Sequence, residues 1–470
     1  MRHRVDQPAL RDHLNERSDE GDELTAEKQP IVAVAEYGEQ SRLTRVLEQV
    51  DLAGRFLFGR RFFRRSPHEL FWLGTHAHRQ MLVSTRPFML PFRQSLSNFE
   101  ETSMSNTEVL FKPFRLKSLS LPNRIVMAPM TRSKSPDQIP NDQVAAYYRA
   151  RAEGGVGLIL TEGTAPEHKS ATNDVNVPHF HGEESLRGWG KVVKEVKAAG
   201  GHIMPQLWHQ GVVRHPGTGP YPEQRSMSPS GLAKKDKKVA EPMTDEDVAD
   251  VVAGFASSAR YAKELGFDGV ELHGAHGYLI DQFFWEGTNE RSDRFGGSLA
   301  ARANFAADVT RAVRKEVGAD FPILLRFSQW KQQDFTAKLA HTPQELEIFL
   351  RPLIDAGLDI FHCSTRRFWE PEFPELNSDM NLAGWTKKIS GLPTISVGSV
   401  SLNADFITAF RQATAEVSGI ERLIEMMARG DFDLIAVGRA LIVNPDWANK
   451  VRAGKLSELT PYDPKALATL

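Results

Sequence analysis

Two imidazoles and a phenol sit close together in the stretch Phe267-Asp-Gly-Val-Glu-Leu-His-Gly-Ala-His-Gly-Tyr278, as His273, His276 and Tyr278. Two neutral imidazoles can each donate a hydrogen bond to one substrate oxygen, and a phenol beside them can supply a proton. The stretch opens as a short apolar strand with Val270 and Leu272, continues as a loop holding the histidines, and runs into a helical pattern from Leu279. The polar cluster therefore falls where a strand hands over to a helix. Gly274 and Gly277 let the backbone bend there and leave room for a flat ligand. The alternative chemistry is a metal site on His273 and His276, but no second ligand cluster stands at a comparable strand end.

The elements that must position this cluster repeat along the chain. Candidate strands are Arg124–Ala128, Val156–Thr161, His202–Leu207, Phe267–Leu272, Pro322–Phe327, Leu358–Cys363, Thr394–Val397 and Asp433–Val437. Helical patterns lie between them at Asp142–Glu153, Ser185–Ala199, Thr244–Leu265, Ala300–Val317, Pro343–Ala356, Leu382–Ile389 and Gly419–Arg429. Thr244 and Asp247 have capping-box spacing at the start of the third helix. Eight strands alternating with helices imply an α/β fold with a parallel sheet, closed as a (β/α)8 TIM barrel. No Gly-x-Gly-x-x-Gly turn follows an early strand, which weakens a Rossmann reading. A hairpin across Phe111–Leu116 and Leu119–Asn123 is expected to close the barrel bottom.

Composition narrows the function. The chain has 470 residues, 41% hydrophobic and 25% charged, with net charge −2, which suits a globular protein and gives no general attraction to nucleic acid or anionic membrane. A single cysteine, Cys363, excludes a disulfide framework or a four-cysteine cluster site. No apolar run is long enough for a transmembrane helix, and no secretory pattern opens the chain, so the expected location is cytoplasmic. The expected partner is a small-molecule substrate, with no nucleic acid and no membrane; the oligomeric state stays open. Residues 1–103 differ from the rest, with 14 Arg against 1 Lys where residues 104–470 hold 23 Arg and 20 Lys. They form an expected N-terminal extension outside the catalytic domain, 104–470, with Met104 a credible start. The basic-aromatic run Arg55–Arg65 within it carries no specific assignment.

If the barrel closes, residues following each strand face one cavity. Those ends read Ala128-Pro-Met-Thr-Arg132, Thr161-Glu-Gly163, Gln206-Leu-Trp-His209, His273 to Leu279, Leu325-Arg-Phe-Ser328, Val397-Gly398 and Val437-Gly-Arg439. Gly398, Gly438 and Arg439 suit a phosphate cradle on the last two loops; tight strand-to-helix turns are the alternative reading of the glycines.

Apart from Val397-Gly398, these motifs, with Asn289–Gly297, make the chain from about Leu110 to Gly454 resemble the old yellow enzyme family of flavin-dependent NAD(P)H oxidoreductases. The resemblance implies non-covalent FMN, with NADPH or NADH as reductant. Pro129, Met130 and Thr131 would border the flavin, with Thr131 beside a carbonyl, and Gly163 would allow its close approach. Gln206 would address the pyrimidine edge, and Arg326 would place a charge beside the edge that becomes anionic on reduction. Gly398, Gly438 and Arg439 would take the phosphate. His273 and His276 would bind a substrate carbonyl, and Tyr278 would protonate the carbon next to it as hydride reaches the far carbon of the conjugated C=C. Members of the family carry His/His or His/Asn at the carbonyl pair; this chain has His/His. Trp208 and Phe283 are read as either site or core aromatics. Substrate range is expected in the loops Val212–Lys238 and Ser364–Asp379. The implied activity is an ene reductase acting on α,β-unsaturated carbonyl compounds. The alternatives are an FMN barrel enzyme oxidising an amine or alcohol, and a non-enzymatic ligand-binding barrel.

Overall fold

In the computed structural model, residues 107–405 and 414–470 are described. The expected extension 1–103 lies outside the described residues, as does Met104. Eight parallel strands close into a barrel. They are β1 (Ile125–Met127), β2 (Leu158–Thr164), β3 (Ile203–Leu207), β4 (Val270–His276), β5 (Ile323–Lys331), β6 (Ile360–Ser364), β7 (Thr394–Val397) and β8 (Leu434–Val437). Closure is made where β8 pairs with β1, Ile435 opposite Ile125 and Val437 opposite Met127. The (β/α)8 expectation holds.

Helices between the strands cover the outside. They include α1 (Asp142–Glu153), α2 (Glu183–Ala198), α3 (Asp245–Glu264), α4 (Leu279–Phe284), α5 (Asn304–Val317), α6 (Pro343–Asp355), α7 (Leu382–Ser390) and α8 (Glu421–Arg429). Several of their starts are chemically specified. Asn141 accepts from the N–H groups of Gln143 and Val144, and Thr244 with Asp247 forms the expected reciprocal capping box on α3. The single helix expected over Ala300–Val317 is two, Leu299–Arg302 and α5. Ala303 bonds back three residues to Ala300, which tightens the turn between them.

Alternation along the strands sorts side chains to two cores. One lies between strands and helices, where Phe283 stacks on Phe305 at 4.0 Å. The other fills the barrel with Val126, Leu158, Leu160, Met204, Leu324, Ile360, Ile395 and Leu434, each fully buried. An antiparallel hairpin of Phe114–Leu116 with Leu119–Leu121 packs its apolar residues against this inner core, as expected for the barrel floor. Burying each such Leu or Ile contributes about 1.5–3 kcal/mol. With its lower part packed, the barrel keeps a cavity at the C-terminal ends of its strands. Among the described residues, no helix is long and apolar enough to cross a membrane.

Several strand boundaries differ from expectation, β2 running on to Thr164 among them, and two of these matter for chemistry. β4 was expected to end at Leu272 but continues through His276, so the histidines belong to the strand and not to the loop after it. β5 was expected to end at Phe327 but continues to Lys331. The two extensions support each other: His273 pairs with Arg326, Gly274 with Phe327, and, past a bulge, His276 with Lys331.

Candidate active site

At the C-terminal end of the barrel is a cavity of about 270 Å³. Its lining includes Pro129, Met130, Thr131, Gln206, His273, His276, Tyr278, Arg326, Gly398, Gly438 and Arg439. Eleven of the twelve residues singled out from the sequence thus meet on one surface. Gly163 does not line it. A Cβ at Gly163 would come 2.7 Å from Trp208 Cε3, so the approach this glycine permits is by the Trp208 ring. Trp208 does line the cavity, while Phe283 is a core residue.

The register shift between β4 and β5, where residues 328–330 stand against the single residue 275, shapes the reactive wall. His276 has φ 65° and Gly277 φ 81°, two successive left-handed residues that swing the chain from strand to helix. Only glycine fits at 277, where a Cβ would lie 1.8 Å from the Gln333 amide oxygen. The Gly277 N–H is held by Asp281 Oδ2 at 2.7 Å, and Asp281 Oδ1 accepts from Lys331 Nζ at 2.7 Å. Both side chains of that ion pair are fully buried. On the other side of the bulge, the His276 N–H donates to Ser328 Oγ at 3.0 Å.

The rings of His273 and His276 are 5.2 Å apart and edge-to-face, and Tyr278 is 5.2 Å from His273. The two histidines are not equivalent. His276 stacks on Trp330 at 4.6 Å and turns Nε2 to Ser364 Oγ at 2.8 Å, whereas His273 Nδ1 is buried without a partner. Ser364 Oγ also accepts from the Arg326 guanidinium at 3.1 Å. Burial first, and then the Arg326 charge, hold both imidazoles well below their usual pKa range. Each is a neutral, single-proton donor. Burial raises the Tyr278 pKa and keeps the phenol protonated. Gln332 Nε2 donates to the phenol oxygen at 3.1 Å, which leaves the phenol's own hydrogen uncommitted to that bond.

The strands on either side of the histidines carry further polar groups, with Arg326 paired beside His273. Arg326 is buried with Nε lacking a partner, and Gln206 donates from Nε2 to Glu271 at 2.7 Å. At the far end Gly398 has φ 140° and no room for a Cβ, which would meet the Thr365 carbonyl oxygen at 2.7 Å. Arg439 donates to the carbonyls of Ala404 and Asp405 at 2.5 and 3.0 Å. A Cβ at Gly438 would make only ordinary contacts, so that glycine is not sterically required.

Ser364, Trp330 and Gln332 were missed as site residues, the last two because Ser328-Gln-Trp-Lys331 does not read as a continued strand. The loop Ser364–Asp379 supplies Ser364, Thr365 and Arg366 to the cavity, while Val212–Lys238 supplies no lining residue. That second loop instead folds on itself, with Arg214 held by the Gln224 and Tyr221 carbonyls. Among the described residues no three His, Cys, Asp or Glu side chains converge as a metal site.

This barrel and cavity define a class, and the comparisons define it further. The family model described as NADH:flavin oxidoreductase / NADH oxidase matches residues 109–458. The chain is 37% identical over 362 residues to 12-oxophytodienoate reductase 7 of Oryza sativa subsp. japonica, covering 73% of this chain and 87% of that one. It is 31% identical over 356 residues to a metal reductase of Desulforamulus reducens, covering 75% of this chain but spanning only 50% of that longer relative. Among solved structures, morphinone reductase in complex with tetrahydroNAD superposes with TM-score 0.62 at 29% identity, over 76% of this chain and 93% of that one. The chain belongs to the NADH:flavin oxidoreductase / NADH oxidase family, the old yellow enzymes.

Proposed function

We propose that residues 104–470 form an FMN-dependent NAD(P)H oxidoreductase that reduces the activated C=C bond of α,β-unsaturated carbonyl compounds. The observation that carries this reading is the meeting of two sets of groups. A neutral His273/His276 pair with the protonated Tyr278 shares one cavity with the buried Arg326 and Gln206. The relatives support it: one is named a 12-oxophytodienoate reductase, and the solved morphinone reductase holds a nicotinamide analogue.

The residues present suit FMN. Arg326 Nε, His273 Nδ1 and Trp208 Nε1 are buried polar atoms awaiting a partner, and the Gly398 turn brings bare backbone to the cavity. Pro129, Met130, Thr131, Gln206 and Arg326 would hold the ring system, and Gly398, Gly438 and Arg439 the phosphate. When bound, FMN supplies the two-electron chemistry that links a nicotinamide to the alkene. His273 and His276 bind the substrate carbonyl and withdraw electron density from the conjugated system. Trp330 braces His276 by stacking, and Ser364 fixes its ring through Nε2. Tyr278 delivers a proton from its oxygen to the carbon beside the carbonyl. Anaerobic mixing of the dithionite-reduced protein with cyclohexenone tests the reading: the flavin absorbance should return. A reduced flavin that persists in cyclohexenone would end it.

The phosphate assignment makes its own prediction. Arg439→Ala should weaken FMN binding roughly tenfold to a hundredfold, from about 1.5–3 kcal/mol for a hydrogen bond to a charged group. Riboflavin, which lacks the phosphate, should bind variant and wild type alike in a fluorescence-quenching titration. Equal losses for both ligands would place Arg439 in the scaffold, through its bonds to Ala404 and Asp405.

A further inference from the structure

Beneath the cavity is a polar layer that the roles above leave unused. Met204, Leu324 and Ile360 belong to the inner core, and two residues further along the same strands stand Gln206, Arg326 and His362. Glu271 on β4 completes this level, its Cα opposite that of Gln206. Gln206 and Arg326 reach the cavity; Glu271 and His362 do not line it and have no exposed surface.

The bonding within the layer is specific. Glu271 Oε1 accepts from Gln206 Nε2 at 2.7 Å, and Oε2 lies 2.7 Å from His362 Nδ1. A carboxylate only accepts, so Nδ1 carries the imidazole proton. Burial lowers the His362 pKa against the pull of Glu271, and the imidazole is neutral. Glu271 sits close enough beneath Arg326 to pull the guanidinium pKa up against the burial that lowers it. A lone carboxylate in such a place would be costly, and two short hydrogen bonds with a nearby cation offset that cost.

Two consequences reach the cavity. With one N–H committed to Glu271, the Gln206 amide is fixed in orientation and keeps its acceptor oxygen and its second N–H for the cavity. And the field at this wall is not that of a bare guanidinium but of Arg326 diminished by the carboxylate below it.

We propose that Glu271, held by His362, is a positioning residue for the flavin: it fixes the direction of the Gln206 amide and limits how strongly Arg326 favours the negative charge that reduction adds. The inference rests on the flavin reading of the cavity, and is independent of which alkene, if any, is reduced.

The test is the flavin midpoint potential, measured by dye equilibration in the flavin-loaded protein. Glu271→Gln keeps the shape and removes the charge, so the potential should rise. The expected size is at least about tenfold in the ratio of reduced to oxidised flavin at fixed potential, about 30 mV for a two-electron couple. A residue with a merely structural role would lower the melting temperature and leave the potential of the retained flavin in place. That result overturns the proposal. Should Glu271→Gln fail to fold or load, the His362 pair decides. His362→Phe strips a donor from the carboxylate and should move the potential, while His362→Asn retains an N–H donor and should restore it. A potential unmoved in His362→Phe is equally fatal. A wild-type protein that takes up no flavin would instead sink the functional reading itself.

Discussion

Lys331→Met should destabilise the protein by about 3–5 kcal/mol at pH 8, the usual cost of stripping one partner from a buried ion pair. Lys331 and Asp281 have no exposed side-chain surface, and their contact is 2.7 Å. Methionine fills the space of the lysine stem but leaves the Asp281 carboxylate without its counter-charge. Burial already pushes the Asp281 pKa up to about 6 with Lys331 in place. Without the lysine it must climb further above the unfolded value of roughly 3.9. A carboxyl whose folded pKa is raised binds its proton more tightly in the folded state, so the variant regains stability as pH falls through that pKa. The deficit relative to wild type should therefore be full at pH 8 and smaller at pH 5, read from urea unfolding at both. Adding Asp281→Asn should recover much of the loss at pH 8, because asparagine still accepts from the Gly277 N–H without a charge to bury. A pH-independent deficit would assign the effect to packing. So would a double variant no better than the single one.

The sequence made the barrel legible because its signals are local and repeated. Each strand is a short apolar run, several helix starts carry a side-chain cap, and Thr244 with Asp247 can be read from spacing alone. The reactive cluster was legible for a related reason, since the residues that closed-barrel geometry brings together all lie at strand ends. What stayed hidden depends on partners remote in the chain. Glu271 accepts from Gln206, 65 residues before it, and meets His362, 91 residues after it. Nothing local distinguishes it from an ordinary strand glutamate except its place between Val270 and Leu272. Those two neighbours turn to one face of the strand, so a carboxylate between them must point to the other, into the barrel interior. Phe361-His-Cys363 carries the same faint mark. The β5 extension was hidden because Ser328 and Gln329 are polar, and their burial depends on the shifted pairing with β4 and on partners such as Leu339 and Ala340. Gly163 misled for a simpler reason. A glycine signals that something comes close, without saying that it is Trp208.

Tyr278→Phe should retain flavin, retain enone binding and retain reduction by a nicotinamide, yet slow the reduction of the enone by about 10²–10⁴, the range of a general acid. The phenol is protonated because burial raises its pKa, and Gln332 binds its oxygen rather than its hydrogen. Phenylalanine preserves the edge-to-face contact with Trp208 at 5.0 Å and the packing near His273. What is removed is the hydroxyl, with its proton and its bond from Gln332. His273→Ala should fail differently. Losing a donor to the oxygen on which charge develops costs about 10²–10³ in rate, and this variant should also bind phenolic and enone ligands poorly. The two half-reactions, followed separately by anaerobic stopped flow, distinguish the roles. Nitroalkenes sharpen the distinction, because their product anion is stable enough to take its proton from water. Tyr278→Phe should reduce a nitroalkene at nearly the wild-type rate, while His273→Ala remains slow. If Tyr278→Phe instead slows flavin reduction by the nicotinamide and leaves enone reduction intact, Tyr278 serves the reductant, and the proton to the alkene comes from elsewhere.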